Sequence, residues 1–349
     1  MTTLQIVSYE SCGKTALCAG IGKKLINAGK KVGYIKPVNL TEATSSDVCP
    51  DAVFINEALE LGEDKQQVCV FNISQEKLWH DLSEDADSFA GKIKSACDRI
   101  AAGRDILIIE SPGSLKNDQV STLACYTIAE KVNTRVILLI CYTTDFRDAD
   151  IDQVIKKFGE RLVGIVVNQV LEGKLSAVKA QCEDYFKSRG VNILGILPES
   201  RPLLGISVAE IAAALGAEII SSREKSNDLV ENVILGAMTP DSARDYYNRK
   251  RNKAVVTRSE RPDMQLAALD TSTKCLIVTK QKPSMPVMVK AEDKKVPVMV
   301  VNKDINEIVS AIEKALAKSR FQHLQKLTVL MSILDSRFDF KALNSALAL

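Results

Sequence analysis

Leu4-Gln5-Ile6-Val7-Ser8-Tyr9-Glu10-Ser11-Cys12-Gly13-Lys14-Thr15 is the stretch on which the reading of the fold turns. Residues 4–8 form a short apolar run, and residues 15–28 place Leu17, Ile21, Leu25 and Ala28 at helical spacing, so a strand passes through a turn into an amphipathic helix. Gly13-Lys14-Thr15 opening that helix would aim backbone N–H groups and the positive helix end at phosphate. Lys14 is expected to reach the β- and γ-phosphate oxygens, and the Thr15 hydroxyl to hold Mg²⁺. The usual opening glycine is missing, because position 8 is serine and position 7 valine. Phosphate binding is still favoured over an ordinary turn, since strand and helix fall where the chemistry requires them.

Outward from this stretch, apolar runs at 32–36, 105–110, 135–141, 162–168 and 192–197 alternate with helical patterns such as 148–158 and 175–188. That alternation predicts an α/β fold with a parallel sheet, and runs this uniformly apolar predict strands covered on both faces. Near residues 201–205 the pattern changes, and Ile206-Ser207-Val208-Ala209-Glu210 begins a helix with Ser207 as N-cap. The expected organisation is a nucleotide-binding domain over 1–205 and a smaller α/β domain over 206–318. The smaller domain is expected to have strands at 253–257, 275–279 and 296–301 and helices at 239–247, 261–269 and 305–318. A helical tail over 319–349 would dock Leu324, Leu327, Leu330, Met331, Leu334, Leu343, Leu347 and Leu349 on a partner surface.

Bulk properties narrow the function. The chain has 349 residues, 46% hydrophobic and 26% charged, with a net charge of +2, so no electrostatic reason exists to expect nucleic acid. Nine cysteines, none in a C-x-x-C pair, read as reduced thiols of a cytoplasmic protein. No secretion signal is apparent, and no apolar stretch approaches the ~20 residues that cross a bilayer, so no membrane partner is expected. Only His80 and His323 are present, which argues against histidine triads and multi-histidine zinc sites.

Ligands of open parallel sheets bind beyond the carboxyl ends of the strands, and three further strand ends are polar. Lys36, before Pro37, reads either as a ligand-facing cation or as a solvated lysine. Glu110, in Glu110-Ser111-Pro112-Gly113, reads as a carboxylate for Mg²⁺ or its water. Asn168 reads as an amide for a base edge or as a turn former.

Taken together, Ser11-Cys12-Gly13-Lys14-Thr15, Gly33-Tyr34-Ile35-Lys36-Pro37-Val38, Ile109-Glu110-Ser111-Pro112-Gly113, Gly164-Ile165-Val166-Val167-Asn168 and Gly195-Ile196-Leu197-Pro198-Glu199 resemble the dethiobiotin-synthetase family of P-loop proteins. Within that family the sequence most resembles the N-terminal region of long phosphotransacetylases and their stand-alone relatives. Residues 230–238 and 263–277 resemble the DRTGG domain that follows there. The resemblance implies ATP or GTP with Mg²⁺, with Ser11, Cys12, Gly13, Lys14 and Thr15 around the phosphates and Lys14 and Lys36 beside the transferring group. It further implies Thr15, Asp51 and Glu110 on the metal side, Asn168, Pro198 and Glu199 bordering the nucleoside, and a homodimer. Asp47 competes with Asp51, because the register of the loop 41–51 is not fixed by the sequence. Departures are Ser8 and Tyr9-Glu10 in the phosphate loop, where a carboxylate could repel phosphate, and Arg258-Ser259 where relatives tend to have two glycines. The sequence ends at Leu349 without the acetyl-transferring domain, so phosphotransacetylase activity is not expected of it.

Residues 244–261 are rich in arginine and lysine and read as a solvated face or as a site for an anionic small-molecule ligand in the second domain. Thr271-Ser272-Thr273 reads as capping or as hydroxyls for phosphate, and Trp79 as a packing anchor rather than a stacking platform. Two functions follow: a regulatory or sensory nucleotide-binding protein, or an ATP-dependent ligase activating a carboxylate or carbamate. A purely structural role leaves the polar strand ends without a cause.

Overall fold

The computed structural model describes residues 2–41, 48–116, 118–142, 149–236 and 240–349. The chain forms two compact units, Met1–Glu199 with Phe321–Leu349, and Ser200–Arg320. It thus crosses into the second unit at Ser200, a few residues before the change in pattern at 205.

The first unit is built on a six-stranded sheet in the order Val32–Ile35, Ile106–Glu110, Thr2–Ser8, Arg135–Cys141, Leu162–Val170, Ile193–Pro198. Every neighbouring pair is parallel, because the connections are helical crossovers rather than hairpins. The strand Thr2–Ser8, here β1, lies inside the sheet and is buried from Leu4 onward. Its central polar core side chain is satisfied: Gln5 Nε2 donates to Ser111 Oγ (2.8 Å) and the Cys125 carbonyl (3.0 Å), and Gln5 Oε1 accepts from Thr134 Oγ1 (2.8 Å). A buried amide with these partners escapes the desolvation penalty of an orphan.

The helix α1, Lys14–Asn27, packs its glycines against two neighbours. A Cβ on Gly20 would stand 2.2 Å from Leu334 Cδ1, so glycine there lets the helix Leu324–Arg337 lie close without displacing the Leu334 side chain. The expected tail therefore requires correction: it does not await a partner surface. Leu330, Leu334, Leu343 and Leu347 are buried within the first unit, Phe338 bridges Gly195, and the Asp339 amide donates to the Leu194 carbonyl (2.7 Å). The tail covers the edge strand Ile193–Pro198, which would otherwise expose unpaired backbone groups. Two helices that the sequence pattern does not announce, Gln75–Glu84 and Ala86–Ala101, precede the strand Ile106–Glu110.

The second unit holds a five-stranded sheet in the order Glu218–Ser221, Val298–Val301, Thr273–Thr279, Lys253–Arg258, Asn232–Leu235, parallel except for the first pair. Its two outer strands add to the three expected from the sequence. Ser207 caps the helix Val208–Leu215 in a reciprocal capping box with Glu210, and Gly216 ends it in the left-handed region. Alternate residues of Lys253–Arg258 feed two cores, Ala254 and Val256 on one face and Val255 on the other. Thr239 and Asp148, with which two of the expected helices begin, fall outside the described residues, as does Asp47.

Candidate functional site

The carboxyl end of β1 is stitched to its surroundings before the loop begins. The Tyr9 amide donates to the Leu139 carbonyl (2.9 Å), the Leu115 amide to the Ser8 carbonyl (3.0 Å) and the Lys116 amide to the Tyr9 carbonyl (2.8 Å). Gly13 then turns the chain with φ +97°, a left-handed conformation that any side chain would strain. The α1 N-terminus has no side-chain cap and no acidic residue in its first turn. Its leading N–H groups thus lack the partners that capping would supply, and the positive helix end faces the loop.

Lys14 Nζ donates to Ser8 Oγ (3.0 Å) and to the Gly113 carbonyl. Serine in place of the opening glycine thus accepts from the loop lysine. Thr15 Oγ1 donates to Glu110 Oε1 (2.9 Å), and Asn168 Nδ2 donates to the Cys12 carbonyl (2.8 Å). Asn168 spends one amide hydrogen on the loop backbone. The free Cys12 thiol hydrogen-bonds with that of Cys141, and this hydrogen bond together with burial pushes the Cys12 pKa up, so it behaves as a neutral wall. Ser11 is exposed. The loop carboxylate is neutralised where it stands, with Lys116 Nζ 2.7 Å from Glu10 Oε1.

Beside the loop is a second constellation. Lys36 Nζ sits 2.5 Å from Asp51 Oδ2 and 3.0 Å from Glu110 Oε1, with Glu110 1% and Lys36 9% exposed. Burial alone would pull the Lys36 pKa down, yet Glu110 and Asp51 together push it well above its ordinary value. Tyr34 donates its hydroxyl to Glu110 Oε2 (2.8 Å), and burial, then the Glu110 charge, raises its pKa. Gln322 Nε2 completes Asp51 at Oδ1 (2.9 Å). The structure thus brings Lys14, Thr15, Lys36, Asp51, Glu110 and Asn168 to the carboxyl ends of the strands of the sheet.

Pro198 and Glu199 end the edge strand, where the Glu199 amide donates to the Val170 carbonyl (2.8 Å). They stand three strands from β1, about 14 Å at ordinary strand spacing. No group of three His, Cys, Asp or Glu side chains among the described residues is arranged to hold a metal. The donors Thr15 and Glu110 nonetheless suit Mg²⁺, which takes one or two carboxylates and completes its shell with water and phosphate oxygens. Ser8, Tyr34, Lys116, Gly113 and Gln322 carry no assigned role in the sequence. Gly113 stands there only as part of a strand-end motif, and Gln322 gives no signal at all.

Residues 3–207 match a family model described as AAA domain, and residues 210–315 one described as DRTGG domain. A phosphate acetyltransferase of Synechocystis sp. is 21% identical over 271 residues, covering 74% of this chain and 37% of that protein. A probable cobyric acid synthase of Methanocaldococcus jannaschii is 27% identical over 225 residues, covering 56% and 45%. The chain therefore spans less than half the length of these curated relatives. The MinC:MinD cell division protein complex of Aquifex aeolicus aligns with a TM-score of 0.37 and 18% identity, covering 58% of this chain and 84% of that one.

Proposed function

The chain belongs to the family of dethiobiotin-synthetase-like P-loop AAA domains and carries a DRTGG domain behind it, and on that premise we propose that it is a regulatory nucleotide-binding protein. Its first unit binds ATP or GTP with Mg²⁺, and its second receives the signal-bearing ligand. The observation that carries this reading is the state of Lys14. Its ammonium is held by two uncharged oxygens, Ser8 Oγ and the Gly113 carbonyl, beside an uncapped helix N-terminus. Anionic phosphate is a stronger acceptor than either, so exchange is favourable.

In this reading the loop amides and Lys14 bind the phosphates, Thr15 and Glu110 hold the Mg²⁺ side, and Asn168 fixes the loop through Cys12. When bound, Mg²⁺ supplies charge neutralisation between phosphate oxygens. The salt bridge of Glu10 with Lys116 removes the repulsion that a loop carboxylate would otherwise exert. Lys36 keeps its proton beside the site, and this supports a second reading as an ATP-dependent ligase, in which a fixed cation stabilises a transferring phosphoryl group.

Calorimetry with ATP, GTP and their diphosphates, with and without Mg²⁺, tests the proposal on the native sequence and on Lys14→Ala. Loss of the Mg²⁺-dependent binding event in Lys14→Ala is expected; no binding at millimolar nucleotide sinks both readings. Turnover of ATP dependent on bicarbonate and a diamine would instead select the ligase.

A further inference from the structure

The second unit has its own opening at the carboxyl ends of its parallel strands, a cavity of about 920 Å³ with Gly236, Arg258, Lys280 and Lys303 on its walls. We propose that this cavity binds a small phosphorylated ligand, with Arg258 and Lys280 as its phosphate contacts and Gly236 as part of its wall. The inference rests on the regulatory reading above, which gives the second unit a ligand without saying where or of what kind.

Charge is the first argument. Arg258, Arg261, Lys280 and Lys303 share the cavity with Glu260 and Asp304. Three of these six are already engaged: Arg261 with Asp263 (2.8 Å), Lys303 with the Leu215 carbonyl (2.9 Å), and Asp304 as cap of the helix Ile305–Ala317. Arg258 and Lys280 are exposed and form no ion pair among the described residues. Two uncommitted cations against one carboxylate leave the opening positive. A guanidinium beside an ammonium matches the several acceptor oxygens of a phosphate.

Unused buried polarity is the second argument. Tyr247 and Thr257 are 0% exposed, and neither the Tyr247 hydroxyl nor Thr257 Oγ1 has a hydrogen-bond partner among the described residues. Both side chains converge on Gly236: a Cβ there would stand 2.6 Å from Tyr247 Oη and 2.5 Å from Thr257 Cγ2. Buried polar groups are ordinarily satisfied, and the Tyr247 hydroxyl ends at Gly236, a residue that lines the cavity, while Thr257 meets it through its methyl group. Backbone strain is the third argument. Lys280 holds φ +65° at the end of the strand Thr273–Thr279, a conformation that non-glycine residues keep where surrounding structure enforces it. The volume lies in the range of small-molecule sites, and Leu235 and Ile305 offer apolar wall for the organic part.

The test uses the full chain carrying Lys14→Ala, so that the first site is disabled, and inorganic pyrophosphate and AMP as probes. Calorimetric binding of at least one probe is expected. It should weaken by about tenfold or more in Arg258→Glu/Lys280→Glu, where carboxylates replace two charge-assisted donors, and fall with added salt. Hydrogen exchange should slow at 257–261 and 279–281 on probe addition. The proposal is overturned if neither probe binds the Lys14→Ala chain up to solubility, if the charge-reversed chain binds as its parent does, or if protection is confined to residues 8–16. Failure of the nucleotide reading looks different: the Mg²⁺-dependent binding of ATP would be absent from the native chain, or the same in it and in Lys14→Ala, whatever stands at Arg258.

Discussion

The Gln322 side-chain amide donates to Asp51 Oδ1 at 2.9 Å across a sequence separation of 271 residues. Its neighbour Phe321 meets Phe54 edge to face at 5.7 Å. Asp51 and Phe54 belong to one helix, α2, Pro50–Ala58. The residues with which the chain returns to the first unit therefore pin the helix whose carboxylate holds Lys36.

Gln322→Ala removes one hydrogen bond to a charged group in a half-buried place, for which a loss of about 1 kcal/mol is expected. Scanning calorimetry should show the first unit melting about 2–4 °C lower. Gln322→Glu should cost more, because it sets a second carboxylate against Asp51. A Gln322→Glu chain as stable as the native one would contradict the pairing.

Lys36 is the cation between two carboxylates, and removing it leaves the partly buried Asp51 and the buried Glu110 with neutral donors only, Gln322 on the first and Tyr34 and Thr15 on the second. Lys36→Met is expected to destabilise by about 3–5 kcal/mol, read from urea unfolding. Adding Asp51→Asn should restore part of that loss, since the two residues are in contact and their effects are not additive. The raised Lys36 pKa contributes stability that is complete below the ordinary value of 10.5 and is lost only as pH rises through the higher folded value. Its contribution should therefore be flat across neutral pH, and a midpoint that moves near pH 7 through this residue would contradict the assignment.

Much of this was legible in the sequence for a physical reason. Strands of a parallel sheet are buried on both faces, so runs such as 105–110 and 135–141 stand out as continuous apolar blocks, Gly13-Lys14-Thr15 marks a helix start, and Lys36, Glu110 and Asn168 lie at strand ends. What was not legible depends on pairing at a distance. Nothing local to Gln322 announces Asp51, and nothing local to Lys116 announces Glu10. The tail leucines read as an unpartnered face because their partner, α1 with Gly20 at its surface, lies over three hundred positions upstream. The edge strand Glu218–Ser221 escaped notice because it is short and only its last residue is buried, which leaves little of the apolar pattern by which strands are recognised.

Gly113 supplies the carbonyl that accepts from Lys14, at φ +45°. A Cβ there would stand 2.1 Å from Ser121 Oγ, so Gly113→Ala should displace the carbonyl and weaken nucleotide binding as well as lower the melting temperature. Ser121→Ala alone should be close to neutral, because its buried hydroxyl has no partner among the described residues. Combined with Gly113→Ala it should relieve part of the clash. Nucleotide titration of the three chains checks this, and unchanged binding in Gly113→Ala would remove that carbonyl from the site.

Lys253 is 0% exposed, its ammonium has no hydrogen-bond partner among the described residues, and burial lowers its pKa from 10.5 to about 8. The drop corresponds to about 3 kcal/mol against the folded state when the amine is charged. The sign follows from proton binding. Between about 8 and 10.5 the unfolded chain holds this proton and the folded chain does not, so stability rises with pH through that window; below it the penalty is constant. Lys253→Met keeps most of the volume and removes the charge. It should stabilise the second unit at pH 7 by up to about 3 kcal/mol, an advantage that shrinks toward pH 10.5. Urea unfolding of both chains at about pH 7 and about pH 10 measures the difference, and a substitution that destabilises equally at both would show that the ammonium has a partner after all.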